Sequence, residues 1–511
     1  MPKDFANNAR IAKNTLFLYV RMVFVMFVSI YTTRVVLNVL GVEDYGIYNV
    51  VCGFVSMFGF LNTSLSNGIQ RFYNYEETNG GSEALKRVFQ TAFLIQLCLA
   101  ILVFILVEGI GIWYINNKMV LPECRVPAAN WVFQCSVISL ILVIFQIPYS
   151  AAILAQEKMD YYAIVSIIDV LLKLLIILAL PYFSGDYLVV YGVLQVLVSL
   201  LNFVLYVGYS KKCFSELTLE NVFYKDLFIS IFKFSGWNVL DTFAWMTQNQ
   251  GVNMVINLFR GTSVNAARGV AGQIQVAISS LCSNLVIAFR PQLVQSYAGG
   301  DLIRTKKMMY SMSKIMFILY FALALPLCVE IDYILNLWLG NNVPPYTAQF
   351  TILALISMIP RNFTMALSQV VHATGKLSRY EITTCFVVML SLPLSYIALK
   401  AGYSVISVYC IDLAVFIALF ISCLLVFRTI FPLSVLDYLK RVMAPCALLA
   451  ILAVSFSIAI RSLMAESSFV RLVVVVISSI IAVVFLSFII VFDKNERRLV
   501  LNYVRRKNGF A

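Results

Sequence analysis

Runs of about twenty apolar residues, the length a helix needs to cross a hydrocarbon core, recur from one end of the sequence to the other. They fall near 15–33, 45–68, 88–114, 128–154, 161–181, 187–209, 231–258, 264–289, 306–330, 347–374, 380–399, 403–427, 441–460 and 469–491. Those at 45–68 and 231–258 are interrupted by polar residues. Composition agrees with a bilayer as the solvent, because only 12% of residues are charged against about a quarter in soluble domains. The pattern predicts an all-α polytopic membrane protein of about fourteen transmembrane helices.

The first run follows Lys3, Arg10 and Lys13, as the apolar core of a signal peptide would, but it is long, contains Arg21 and lacks a small-residue cleavage site; it is expected to be retained. The joining segments are short. The longest on the face opposite the N-terminus, about 331–346, is too small for an extramembrane domain, so function is expected within the bilayer.

Basic residues set the orientation. With the N-terminus in the cytoplasm, twenty-six of the 38 Lys and Arg fall in cytoplasmic segments and eight outside, while Arg21, Lys173, Lys314 and Arg361 fall inside spans. This bias predicts that both termini are cytoplasmic. The net charge of +13 is then mostly topological, and no nucleic-acid partner is expected. The basic tail after 492 is a topology anchor that can also rest on anionic membrane lipid.

Catalysis finds little support. The eleven cysteines lie mostly within apolar spans, where they act as small hydrophobes, and Cys124 alone stands in an outward loop. No metal-ligand spacing or disulfide framework is present. His372 is the sole histidine and reads as a polar helix-end residue. A glycine-rich Gly-Lys-Ser/Thr phosphate loop is missing, which disfavours direct use of ATP. We expect no enzyme activity, cofactor or metal.

An internal repeat organises the chain. "LNVLGVEDYGIYNVVCGFVSMFGFLNTSLSNGIQRF" (37–72) aligns with "INLFRGTSVNAARGVAGQIQVAISSLCSNLVIAFRPQ" (256–292) at an offset of 219 that becomes 220, placing Gly41 on Gly261. "AQEKMDYY" (155–162) aligns with "ATGKLSRY" (373–380) at 218. The expected organisation is two pseudo-symmetric six-helix lobes, 1–209 and 231–427, joined by an amphipathic cytoplasmic linker at 210–230. Two further helices (428–491) and a basic cytoplasmic tail (492–511) follow. Six crossings per repeat leave both lobes in one orientation, an arrangement whose transporters bind substrate near the midplane and work by alternating access.

The segment "LGVEDYGIYNVV", the "SLSNGIQRF" end of the second span and the short Lys-bearing turns before the fifth and eleventh spans resemble the polysaccharide-exporter branch of the multidrug/oligosaccharidyl-lipid/polysaccharide (MOP) superfamily. That branch includes Wzx-type O-antigen flippases. The resemblance implies a flippase of the bacterial inner membrane. It would move undecaprenyl-pyrophosphate-linked oligosaccharide from the cytoplasmic to the outer leaflet for O-antigen, capsule or exopolysaccharide synthesis. It also implies proton or sodium coupling, and glycan polymerase and ligase partners. Its second copy departs from the motif, with Asn265, Ala266 and Arg268 where Tyr45, Gly46 and Tyr48 stand. The competing readings are a cation-coupled multidrug exporter of the same fold and a membrane enzyme of glycan assembly.

A pyrophosphate headgroup needs fixed cations at depth, where a charge costs about 2.5–3.5 kcal/mol on insertion scales. Arg21 in the first span is the leading candidate, although snorkelling toward the cytoplasm also accounts for it. Arg268 in the eighth span and Arg34 at the outer mouth follow, and the resemblance also implies arginines on the first and eighth helices. In the seventh span Asn238, Asp241, Trp245, Gln248 or Asn249, and Asn253 recur at three- and four-residue spacing as a polar and aromatic stripe. It suits sugar hydroxyls and rings, or interhelical hydrogen bonding. Asn62, Ser66 and Asn67 form a smaller stripe. Asp169 and Lys173 have the order and spacing of an intrahelical ion pair, open to reading as an ion-coupling relay or as a structural pair.

Overall fold

The structure is a computed structural model that describes residues 3–60, 65–66, 68–70, 72–73, 81–156, 158–214, 224–464, 466–494 and 496–498. The described residues are mostly helical, with no strand among them. Eleven of their helices are long and apolar enough to cross a membrane, so the chain is an all-α polytopic membrane protein. One of the eleven, Arg21–Met57, takes in most of the first span and the first half of the second. The polar seventh and eighth spans lie in helical columns at 225–260 and 262–298. The first column begins at Lys225, inside the stretch expected to be a linker, and carries a π-turn at Thr247–Gly251.

Where the sequence suggested a loop of about ten residues between the first two spans, a single glycine makes the turn. The helix Lys3–Met57 is broken at Gly41, with φ 80° and ψ 172°, a backbone region nearly closed to residues with a Cβ. Gly261 has φ 75° and ψ −173° between Val252–Arg260 and Thr262–Ala298. Each turn brings together side chains twelve residues apart: Tyr45 lies beside Thr33, and Asn265 Nδ2 donates to Asn253 Oδ1 at 2.8 Å. Twelve residues of straight helix would separate such pairs by about 18 Å, so the chain doubles back at both glycines. Thr33, Gly41 and Tyr45 map onto Asn253, Gly261 and Asn265 at one offset of 220. The repeat is thus a repeat of backbone conformation and of bridging contact, although the bridging residue types differ.

The chain forms two compact units, 1–269 with 392–405, and 270–391 with 406–511. In the first, Val126–Ala155 packs along Tyr187–Cys213, and Met159–Ala179 packs against Lys3–Met57. The leg beginning at 42 lies so close to the chain at 262 that a Cβ on Gly46 would sit 2.0 Å from the Thr262 carbonyl oxygen, which explains a glycine in "DYGIYN". In the second unit, Leu302–Val329 packs against Thr347–Thr374, Ala444–Leu463 and Phe469–Leu486. Its core includes Met312, Met316, Val286 and Ala366, and Tyr320 donates its hydroxyl to the Leu355 carbonyl at 2.8 Å.

Candidate functional site

Arg21 lies in the first leg of Lys3–Met57, facing Met159–Ala179. Its Nη1 donates to Ser166 Oγ at 3.3 Å, its guanidinium lies 4.9 Å from the centre of the Tyr162 ring, and its Nε is buried without a partner. Ser166 in turn donates to the Tyr162 carbonyl at 2.8 Å. No carboxylate lies within ion-pair distance of Arg21 among the described residues. This cation inside an apolar span is therefore held by a hydroxyl and a π face, both neutral, and its charge stays available to an anion.

One turn further along the same helix Asp169 and Lys173 form the pair expected, at 2.8 Å. Asn202 Nδ2, from Tyr187–Cys213, donates to the other Asp169 oxygen at 2.6 Å. The carboxylate thus has both oxygens engaged and ties two helices together. Sequence reasoning missed Ser166 and Asn202. A single Asn in the apolar run "VSLLNFVLYV" is a signal that could have found the latter.

Arg34 is exposed thirteen residues beyond Arg21, about 20 Å along the helix. Arg268 is only 9% exposed and donates from Nη2 to the Asn249 carbonyl at 3.1 Å, which belongs to the π-turn. A π-turn releases backbone carbonyls from the regular ladder and often marks a functional bend. Here a buried guanidinium caps one. Gln248 is buried, Asn249 exposed and Trp245 half-buried. Past the π-turn, Asn253 joins Asn265 and, at 3.4 Å, the Asn49 carbonyl, which makes it a structural amide. The side chains of Asn238 and Asp241, and residues Asn62 and Asn67, lie outside the described residues.

Two ionic features were not expected. Arg125 bridges Asp44, in the glycine-turn motif, and Asp186, the cap of Tyr187–Cys213; its Nε donates to Asp44 Oδ1 at 2.8 Å. Glu108, within the apolar third span, accepts from Gln134 Nε2 at 3.0 Å through one oxygen, while its other oxygen is buried without a partner. Among the described residues no group of three His, Cys, Asp or Glu could hold a metal.

No protein-family model matches the chain. It is 20% identical over 496 residues to EpsK, an uncharacterized membrane protein of Bacillus subtilis (strain 168), covering 95% of this chain and 96% of EpsK. Lipid II flippase MurJ in an inward closed conformation superposes with a TM-score of 0.72 at 14% identity, over 93% of this chain and 98% of MurJ. An inward-facing multidrug resistance MATE-family transporter of the MOP superfamily reaches 0.66 at 14% identity, over 80% of this chain and 97% of its own. A MOP superfamily transporter from Pyrococcus furiosus reaches 0.57 at 12% identity, over 82% and 95%. The chain has the fold that these flippase and transporter structures share.

Proposed function

We propose that the chain is a flippase of the bacterial inner membrane, with both termini cytoplasmic. It carries an undecaprenyl-pyrophosphate-linked oligosaccharide to the outer leaflet by alternating access and alters no covalent bond. The observation that carries this reading is Arg21: a guanidinium within a membrane span whose partners among the described residues are neutral. Such a charge is costly in the bilayer, and a planar two-pronged donor suits a pyrophosphate. Arg34 guides the headgroup at the outer mouth. Arg268 holds the turn that carries Trp245 and Gln248, which with Asn238 and Asp241 meet the sugar. The larger share of the chain matched by the flippase MurJ than by the MATE transporter supports a lipid-linked cargo. Glycan polymerase and ligase partners would act on the delivered product.

The test measures lipid-linked glycan accumulating on the cytoplasmic face. Arg21→Ala should reduce flipping by at least about a hundredfold at unchanged protein level, and Arg21→Lys should restore only part of it, because an ammonium offers a point charge instead of a fork. Full complementation by Arg21→Ala would remove the anionic-headgroup mechanism. A reporter fused at Val343 should read outside and one after Arg506 cytoplasmic.

One observation favours a cation-coupled multidrug exporter instead. Glu108 is a carboxylate in a span whose only partner among the described residues is an amide, a group able to bind and release a proton or cation. Under that reading Glu108→Gln stops export of cationic compounds while Arg21→Ala does not.

A further inference from the structure

The first unit contains a cavity of about 480 Å³ that the proposed translocation site does not use. Phe54, Trp113, Tyr114, Met254 and Leu258 line it, with Lys118 at one end and Thr247 at the other. Lys118 and Leu258 lie at the same end, since the Val120 amide donates to Asn257 Oδ1 at 3.0 Å and Tyr114 donates to the Met254 carbonyl at 3.3 Å. From Leu258 back to Thr247 the helix descends about 16 Å. Half of a hydrocarbon core is about 15 Å. The cavity therefore runs the depth of one leaflet, the outer one in the orientation read from the basic residues.

Its wall opens sideways. Ile110 and Trp113, on the lining helix Gly81–Asn117, are 47% and 53% exposed beside the exposed apolar row of Ile101, Phe104 and Ile105. A molecule in the surrounding bilayer can enter laterally. At the rim the Lys118 ammonium lies 5.8 Å from the Trp113 ring centre and has no carboxylate partner among the described residues. An apolar slot one leaflet deep, open to the membrane and topped by an unmatched cation, has the shape and charge of a single lipid chain below its phosphate.

We propose that this cavity is a binding site for one hydrocarbon chain of an outer-leaflet phospholipid, whose phosphate pairs with Lys118. The slot borders the π-turn through Thr247 and Gly251, so a bound chain braces the bend that Arg268 caps. The site does not depend on the cargo assigned above.

Native mass spectrometry of the delipidated full chain, titrated with dioleoyl phosphatidylglycerol, tests it. One molecule should bind at least about tenfold more tightly than dioleoylglycerol, which lacks the phosphate. Lys118→Ala should erase that preference without changing the unfolding midpoint, and Val255→Trp, at a residue that also lines the slot, should fill it and remove the tight molecule. Thr247→Val should leave retention unchanged, because a hydrocarbon chain offers its hydroxyl nothing. Unchanged phosphatidylglycerol binding in both Lys118→Ala and Val255→Trp would overturn the proposal. So would loss of binding in Thr247→Val, or exclusion of phosphatidylglycerol by equimolar undecaprenyl phosphate.

Discussion

The buried ion pairs of the second unit contrast with two charges of the first. In the second, Glu330 is 1% exposed and meets Arg471 at 2.8 Å, with Arg461 at 3.8 Å. Lys314, also 1% exposed, meets Asp493 and Glu496 at 3.2 Å, and Lys306 meets Asp437 at 2.8 Å. These pairs fasten Leu302–Val329 at both ends to the last two spans and the segment after them. In the first unit Arg21 and Glu108 have only neutral partners among the described residues. Opposite charges that neutralise one another can be there for assembly; a charge left unneutralised in hydrocarbon must be answered by something that comes and goes. On the function proposed above, the paired charges of the second unit serve assembly and Arg21 serves transport.

Stability measurements can break this division. Glu330→Gln takes the carboxylate from a buried Arg471 and should cost about 3–5 kcal/mol, whereas Glu330→Leu with Arg471→Leu should be nearly neutral, read as unfolding free energy in detergent. Equal losses for the single and double variants would show that the pair is not what holds the helices. Next in size, Gly41→Ala and Gly261→Ala force a Cβ into a glycine-only region and should each cost about 1–3 kcal/mol. Similar values for the two would sharpen the repeat, and a loss at only one would weaken it.

Asp169 and Lys173 are the intermediate case. Either order lets the two neutralise one another at four-residue spacing, so exchanging the two residues should preserve transport better than Asp169→Asn. Transport abolished by Asp169→Asn in a fully folded protein would move the pair into the coupling machinery. Smallest of all on this scale, Arg21→Ala should change stability by less than about 0.5 kcal/mol, the usual range for a residue outside the named destabilising mechanisms, while stopping flipping. A large stability loss would make Arg21 structural.

Much of this was legible in the sequence because hydrocarbon leaves few alternatives: length and apolarity predict the spans, whereas the match of Gly41 with Gly261 marked a repeat without showing that either glycine turns the chain. The Asp169–Lys173 contact was legible because its four-residue spacing is local. Lys314 was visible as a charge within a span, but its partners are 179 and 182 residues away, and no periodicity carries that distance. The stripe on the seventh span was read at regular helical spacing. The π-turn at 247–251 changes the phase, which is why Gln248 and Asn249 part company and Asn253 turns to a structural contact. Glu108 stood in its span as plainly as Asp169, yet with no basic residue three or four positions away it carries no pairing signal.

The glycine turns also bear on biogenesis. A connection of one residue between two membrane helices leaves almost no hydrophilic chain to be carried through the bilayer, so during synthesis the legs on either side of Gly41, and those on either side of Gly261, are suited to enter as preformed hairpins and not one helix at a time. The polar 231–258 segment, a poor candidate to partition alone, then enters beside its partner, with Asn253 already satisfied by Asn265. Insertion of the least hydrophobic part of the chain is thereby coupled to the turn that follows it.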